Sequence, residues 1–147
     1  MTGSRASALA VLLLAAACSS PARENTSDSP VADAPTLRGT VGTQESPNAF
    51  EISLVDEDGN PVTDLPAGQY NIEVTDKTDI HDFHLSGGDG AVDERTGVVE
   101  KIDTTWVVTF EPGEYRYICD PHPSMNGHFT VSPPSDAKRP LRGGDLR

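Results

Sequence analysis

Cys119, His122 and Met125 follow one another at even three-residue intervals in YICDPHPSMNGHF, residues 117 to 129. A thiol, an imidazole and a thioether so placed can pack as ordinary side chains or converge as donors to a soft metal ion. The chain has 2 cysteines, and Cys18 ends an apolar leader, so Cys119 is left without an intramolecular partner. In an exported protein an unpaired thiol is open to oxidation or cross-linking unless something occupies it. A metal ion is one such occupant; the other reading is a buried, inert cysteine serving as a small hydrophobe.

Donors from one loop cannot enclose an ion, so a further ligand has to come from elsewhere. DIHDFHL, residues 79 to 85, offers one. In a strand, His81, Phe83 and Leu85 share one face while Asp82 and His84 share the other. The donor set is then one thiolate, up to two imidazoles and one thioether. Soft sulfur with imidazole suits copper in both oxidation states, and two His and one Cys with a weak axial Met make up a blue-copper donor set. Zinc would leave Met125 without a role. Iron–sulfur clusters need more cysteines than this chain has.

These side chains need a framework, and the apolar pattern supplies one. Phe50, Ile52 and Leu54 alternate with polar neighbours, as do Tyr70, Ile72 and Val74, then Trp106, Val108 and Phe110, then Tyr115, Tyr117 and Cys119, and finally Phe129 and Val131. DEDGNP, LPAGQ and EPGE lie between the runs and carry turn residues. No window has a helical stripe. Short alternating segments joined by such turns predict an all-β protein, an antiparallel sandwich or Greek-key barrel. Cys119 ends one strand with its sulfur facing inward, and DPHPSMNG, with two prolines and a glycine, reads as a stiff loop before the last strand. Phe50, Tyr70, Trp106 and Phe110 read as core.

The ends read differently. MTGSR carries one positive charge and ASALAVLLLAAA is a run too short to span a bilayer permanently, so residues 1–17 read as a signal peptide. Ala15, Ala16 and Ala17 before Cys18 resemble the bacterial lipobox, in which the cysteine is lipidated and becomes the mature N-terminus. An ordinary secretory leader is the alternative. Either way the protein is exported; with the lipid at Cys18 it is anchored to a bacterial membrane and faces the periplasm or the extracellular side. Residues 18–38, rich in Pro, Ser, Ala and Asp, read as a flexible tether, residues 39–132 as the folded domain, and residues 133–147 as a disordered tail. The formal charge of −12 argues against nucleic acid as a partner and suits a basic or metal-cationic one, while most of these charges, spread through the tether and turns, read as maintaining solubility.

YICDPHPSMNGHFTV resembles the C-terminal copper loop of the cupredoxins, with the short C-x2-H-x2-M spacing of the amicyanin type, and IHDFHL resembles their upstream copper-histidine segment. The resemblance implies His81, Cys119, His122 and Met125 as ligands of one type 1 copper ion in a cupredoxin-like β-sandwich. It also implies one-electron transfer as the activity and a redox protein, a cytochrome or a copper or haem oxidoreductase, docking near an exposed His122. Relatives usually have Asn where this chain has Asp82, and Ser or Thr where it has Asp120. Two carboxylates facing each other would repel unless a proton or backbone N–H groups intervene. His84 reads as a surface or supporting group and His128 as a partly exposed histidine. A copper-delivery module without a redox partner is the alternative function. An enzyme built on Cys119 and His122 lacks an orienting third residue and leaves Met125 without a part.

Overall fold

Alternating apolar residues on pleated strands produce one oily face per sheet, and two such faces bury each other. A computed structural model describes residues 28–134 and has this architecture. The strands are β1 (Thr36–Val41), β2 (Ile52–Val55), β3 (Asp64–Pro66), β4 (Gly68–Asp76), β5 (His84–Gly87), β6 (Val92–Arg95), β7 (Ile102–Phe110), β8 (Gly113–Cys119) and β9 (His122–Ser132). One sheet runs β2-β1-β4-β7 and the other β3-β9-β8-β5-β6. The β1–β4 and β3–β9 pairs are parallel and the other pairs antiparallel, giving a Greek-key sandwich. The alternation of β4, β7, β8 and β9 read from the sequence is realised, with Ile72, Trp106, Tyr115 and Phe129 all inward. Burying each such side chain contributes about 1.5–3 kcal/mol.

Three expectations shift. Residues 36–38, assigned to the tether, open β1, where Leu37 enters the core beside Ile72 of β4. The stretch before β1 is also laid on the sandwich. The Asp28 N–H donates to the Thr105 carbonyl at 2.7 Å, and the Val107 N–H to Asp28 Oδ2 at 3.0 Å, covering the open edge of β7. Phe50 is not core: it lies ahead of β2 and is 63% exposed. The residues of DPHPSMNG form no free loop. Asp120 and Pro121 make a two-residue turn, Cys119 pairs with His122, and the register then jumps so that Ile118 pairs with Asn126. The three extra residues bulge out of β9, and one of them is Met125. The leader, Cys18 and residues 135–147 lie outside the described residues.

This topology brings the candidate donors to one end. β5 pairs antiparallel with β8, His84 opposite Ile118, so the connection entering β5 and the turn leaving β8 meet. Phe83 anchors that connection. Its ring is fully buried, stacks on Tyr117 at 5.8 Å and lies against Gly39 of β1, where a Cβ would sit 2.7 Å from Phe83 Cζ. Cys119 and Met125 stand apart from the main core in a small cluster with Val41, with Ile52 packed against it.

Candidate metal centre

Each donor comes from a differently built piece of backbone. His81 sits in the connection from β4 to β5 and is fully buried; Cys119 closes β8 and is fully buried; His122 opens β9 and is partly exposed. Their ligand atoms lie within 4.8 Å of one another. Cys119 Sγ is 3.6 Å from His81 Nδ1 and 3.5 Å from His122 Nδ1. Donors roughly 2.0–2.3 Å from a shared ion in a tetrahedral or trigonal shell are themselves spaced by roughly 3.5 Å, so both sulfur–nitrogen separations suit one ion. The two Nδ1 atoms approach to 2.9 Å, the distance of a shared proton, which a cation between them would displace.

Met125 is buried in the bulge and belongs to the cluster that holds Cys119. The structure therefore brings three of the four residues singled out in the sequence into one tight group, and Met125 lies in the small buried cluster that also holds Cys119. Their chemistry fits a soft, redox-active ion: thiolate and imidazole in the tight group, thioether as neighbour. His84 and His128 are not in the group. His128 is exposed on β9.

Supporting contacts fix the donors. His81 turns Nδ1 toward the sulfur, and its Nε2 faces the Asn48 carbonyl at 3.4 Å, a long contact that favours the tautomer with the proton on Nε2. The exposed Phe50 ring stands nearly perpendicular to both imidazoles, with centroids 5.0 Å from His81 and 4.8 Å from His122. Sequence reasoning missed this residue. The alternation Phe50, Ile52, Leu54 placed it on the core face, but the strand begins only at Ile52.

The two carboxylates do not confront each other. The Asp120 backbone N–H donates to Asp82 Oδ1 at 2.7 Å, tying the His81 segment to the turn after Cys119. The Asp120 carboxylate turns outward to His84 Nδ1 at 2.9 Å and Arg95 at 3.5 Å, while His84 Nε2 meets Asp93 at 2.8 Å. Burial works to raise the Asp120 carboxyl, but the His84 hydrogen bond and charge, with Arg95, hold it below the usual carboxylate range. Burial pushes Asp82 up, against the Asp120 N–H. Burial also pushes the Cys119 thiol up, while backbone N–H groups of Asp82 and His122 work in the other direction. A thiolate here needs a cation beside it.

No protein-family model matches the chain. Over 52 residues it is 38% identical to Amicyanin-alpha of Methylorubrum extorquens, a match that covers 35% of this chain and 44% of that protein, so the chain spans under half the length of this curated relative. Among solved structures, reduced rusticyanin is 18% identical with a TM-score of 0.48, over 66% of this chain and 76% of that one. A reduced amicyanin variant is 20% identical with a TM-score of 0.44, over 69% and 86%. The two-sheet sandwich carries its His–Cys–His group at one end, and over about a third of its length the chain is similar to an amicyanin.

Proposed function

We propose that this protein is a type 1 copper protein, a one-electron carrier and not an enzyme, exported and held at a bacterial membrane by lipid on Cys18. The observation that carries the reading is the convergence of His81 Nδ1, His122 Nδ1 and Cys119 Sγ; Met125, in the same buried cluster as Cys119, is the fourth proposed ligand. When bound, one copper ion would supply the Cu(I)/Cu(II) couple. The chain's part is to keep the donors in one arrangement in both valences. The Asp82–Asp120 hydrogen bond, the buried Phe83 anchor and the Asn48 carbonyl each limit movement of a donor-bearing segment. Titration of the protein with Cu(II) tests this. An intense band toward the red end of the visible spectrum, saturating at one equivalent, is the expected result; a colourless product overturns it.

The partner reading follows from the same end of the molecule. His122 is the partly exposed donor, and Phe50 beside it offers an apolar ring to a docking surface. A redox protein, a cytochrome or a copper or haem oxidoreductase, fits that role, and the acidic chain suits a basic contact face. Phe50→Ala is expected to slow electron exchange with such a partner by about tenfold, on the scale of an interface anchor, and to leave the folded protein's melting temperature nearly unchanged. Stopped-flow reduction by a basic cytochrome measures it; an unaltered rate places docking elsewhere. Metabolic labelling with a radioactive fatty acid tests the anchor, since Cys18→Ala should abolish label and membrane retention together.

A further inference from the structure

The connection carrying His81 has no strand partner, yet its backbone is held from within the core. The N–H groups of His81 and Ile80 both donate to Thr78 Oγ1, at 2.9 and 3.0 Å, and the Phe83 N–H donates to Thr96 Oγ1 at 2.9 Å. Both threonines are tied to one carboxylate. The Thr78 N–H donates to Asp76 Oδ1 at 3.1 Å, and the Thr96 hydroxyl donates to Asp76 Oδ2 at 2.6 Å. Asp76 and Thr78 are fully buried, and Thr96 nearly so.

The placement of Asp76 is what demands a reason. Tyr70, Ile72, Val74 and Asp76 occupy the inward face of β4 in succession, and the first three are core residues. An apolar residue at the fourth position would satisfy a plain sandwich, and a carboxylate there carries a desolvation penalty. Burial pushes this carboxyl up, against the hydrogen bonds from Thr96 and Thr78. A local rule broken at such cost, next to a donor-bearing segment, is the mark of a positioning element.

We propose that Asp76, Thr78 and Thr96 form a buried assembly that fixes the backbone around His81 before any metal is present, with Thr78 as the member that sets metal retention. The inference rests on the proposed function for its purpose, but the geometry belongs to the chain alone. The Thr78 hydroxyl oxygen uses its two lone pairs on two adjacent N–H groups, and the side chain of His81 takes its aim from that backbone. Among the described residues the His81 N–H donates to Thr78 Oγ1 and to no other partner.

The test compares Thr78→Val, which keeps the shape and removes the acceptor, with Thr78→Ser, which restores it. In metal-free full-length protein, amide exchange of Ile80 and His81 should accelerate about tenfold in Thr78→Val while Trp106 in β7 is unaffected, as expected of a local opening. In copper-loaded protein, release to a chelator should accelerate about tenfold as well, with altered nitrogen hyperfine coupling in the EPR spectrum. Thr78→Ser should return both rates to within about twofold of the parent. The proposal is overturned if His81 exchange and copper release are unchanged in Thr78→Val, if Thr78→Ser behaves like Thr78→Val, or if Trp106 exchange rises equally, which would mark a global loss of stability. Should the parent protein take up no copper, the functional reading fails. The exchange measurements on metal-free protein would still decide whether the assembly holds His81.

Discussion

Cys119→Ser is expected to abolish the intense visible absorption proposed for the copper-loaded protein while leaving the sandwich folded. The expected loss is more than about tenfold in absorbance, because the colour of such a site arises from the copper–thiolate bond and serine offers only a hard, poorly ionised hydroxyl. Affinity for Cu(I) should fall with it, since the two imidazoles and Met125 then lack the anion that balances the ion's charge. The fold should survive. Cys119 lies outside the main core cluster, and the backbone N–H groups of Asp82 and His122 that face its sulfur can serve a hydroxyl oxygen instead. Optical and EPR spectra of parent and variant, with urea unfolding of each, read both quantities. A buried, inert cysteine predicts the reverse pattern: lower stability from a hydroxyl placed among Val41 and Met125, and no spectral change. Equal spectra would therefore remove Cys119 from the site.

The candidate group was legible because its signal is chemical and mostly local. Cys119, His122 and Met125 are close in sequence, and each is rare enough in this chain to ask for a purpose. The distant His81 was legible through the resemblance, and the strand register shows why it arrives: β5 lies against β8 just past it. The sheets were legible for a different reason. In β4 a polar residue separates successive inward side chains, β7 and β8 depart from this only at Val107 and Ile118, and the period survives without knowing the partner strand.

What stayed hidden depends on pairings far apart in the chain. Thr96 is a threonine like many in strand-rich sequence until Asp76 is found against its hydroxyl, 20 residues away. The outward turn of Asp120 needed His84 and Arg95, which come from two other strands. Leu37 sat in a stretch too polar to suggest a strand, and its burial comes from the parallel β4 alongside. Phe50 shows the opposite error. A period-two pattern extended one step past the true start of β2 turned a ring that covers two imidazoles into a core residue.

Gly42→Ala is expected to destabilise the fold by about 3 kcal/mol, combining left-handed backbone strain with overpacking, and to disturb the donor group at the same time. Gly42 has φ +72°, and a Cβ there would lie 1.9 Å from the Pro47 carbonyl oxygen and 2.7 Å from its carbon. These are backbone atoms, so no side-chain rotation relieves the contact. The Gly42 N–H donates to the Glu51 carbonyl at 2.8 Å, closing the loop of residues 42–51 that carries the Asn48 carbonyl to His81 and Phe50 to both rings. Opening that loop loosens the cover over the imidazoles, so copper release should quicken along with the stability loss. Gly59 provides the control. It has φ +84° with nothing within 4 Å of the added Cβ, so Gly59→Ala carries the backbone strain alone, about 1 kcal/mol. In thermal unfolding the first variant should lose more than about 10 °C and the second about 5 °C, at the 4–8 °C per kcal/mol expected for a domain of this size. The difference between the two measures the contact with Pro47. If both variants melt together and release copper at the parent rate, the loop does not cover the site in the way its contacts with His81 and His122 require.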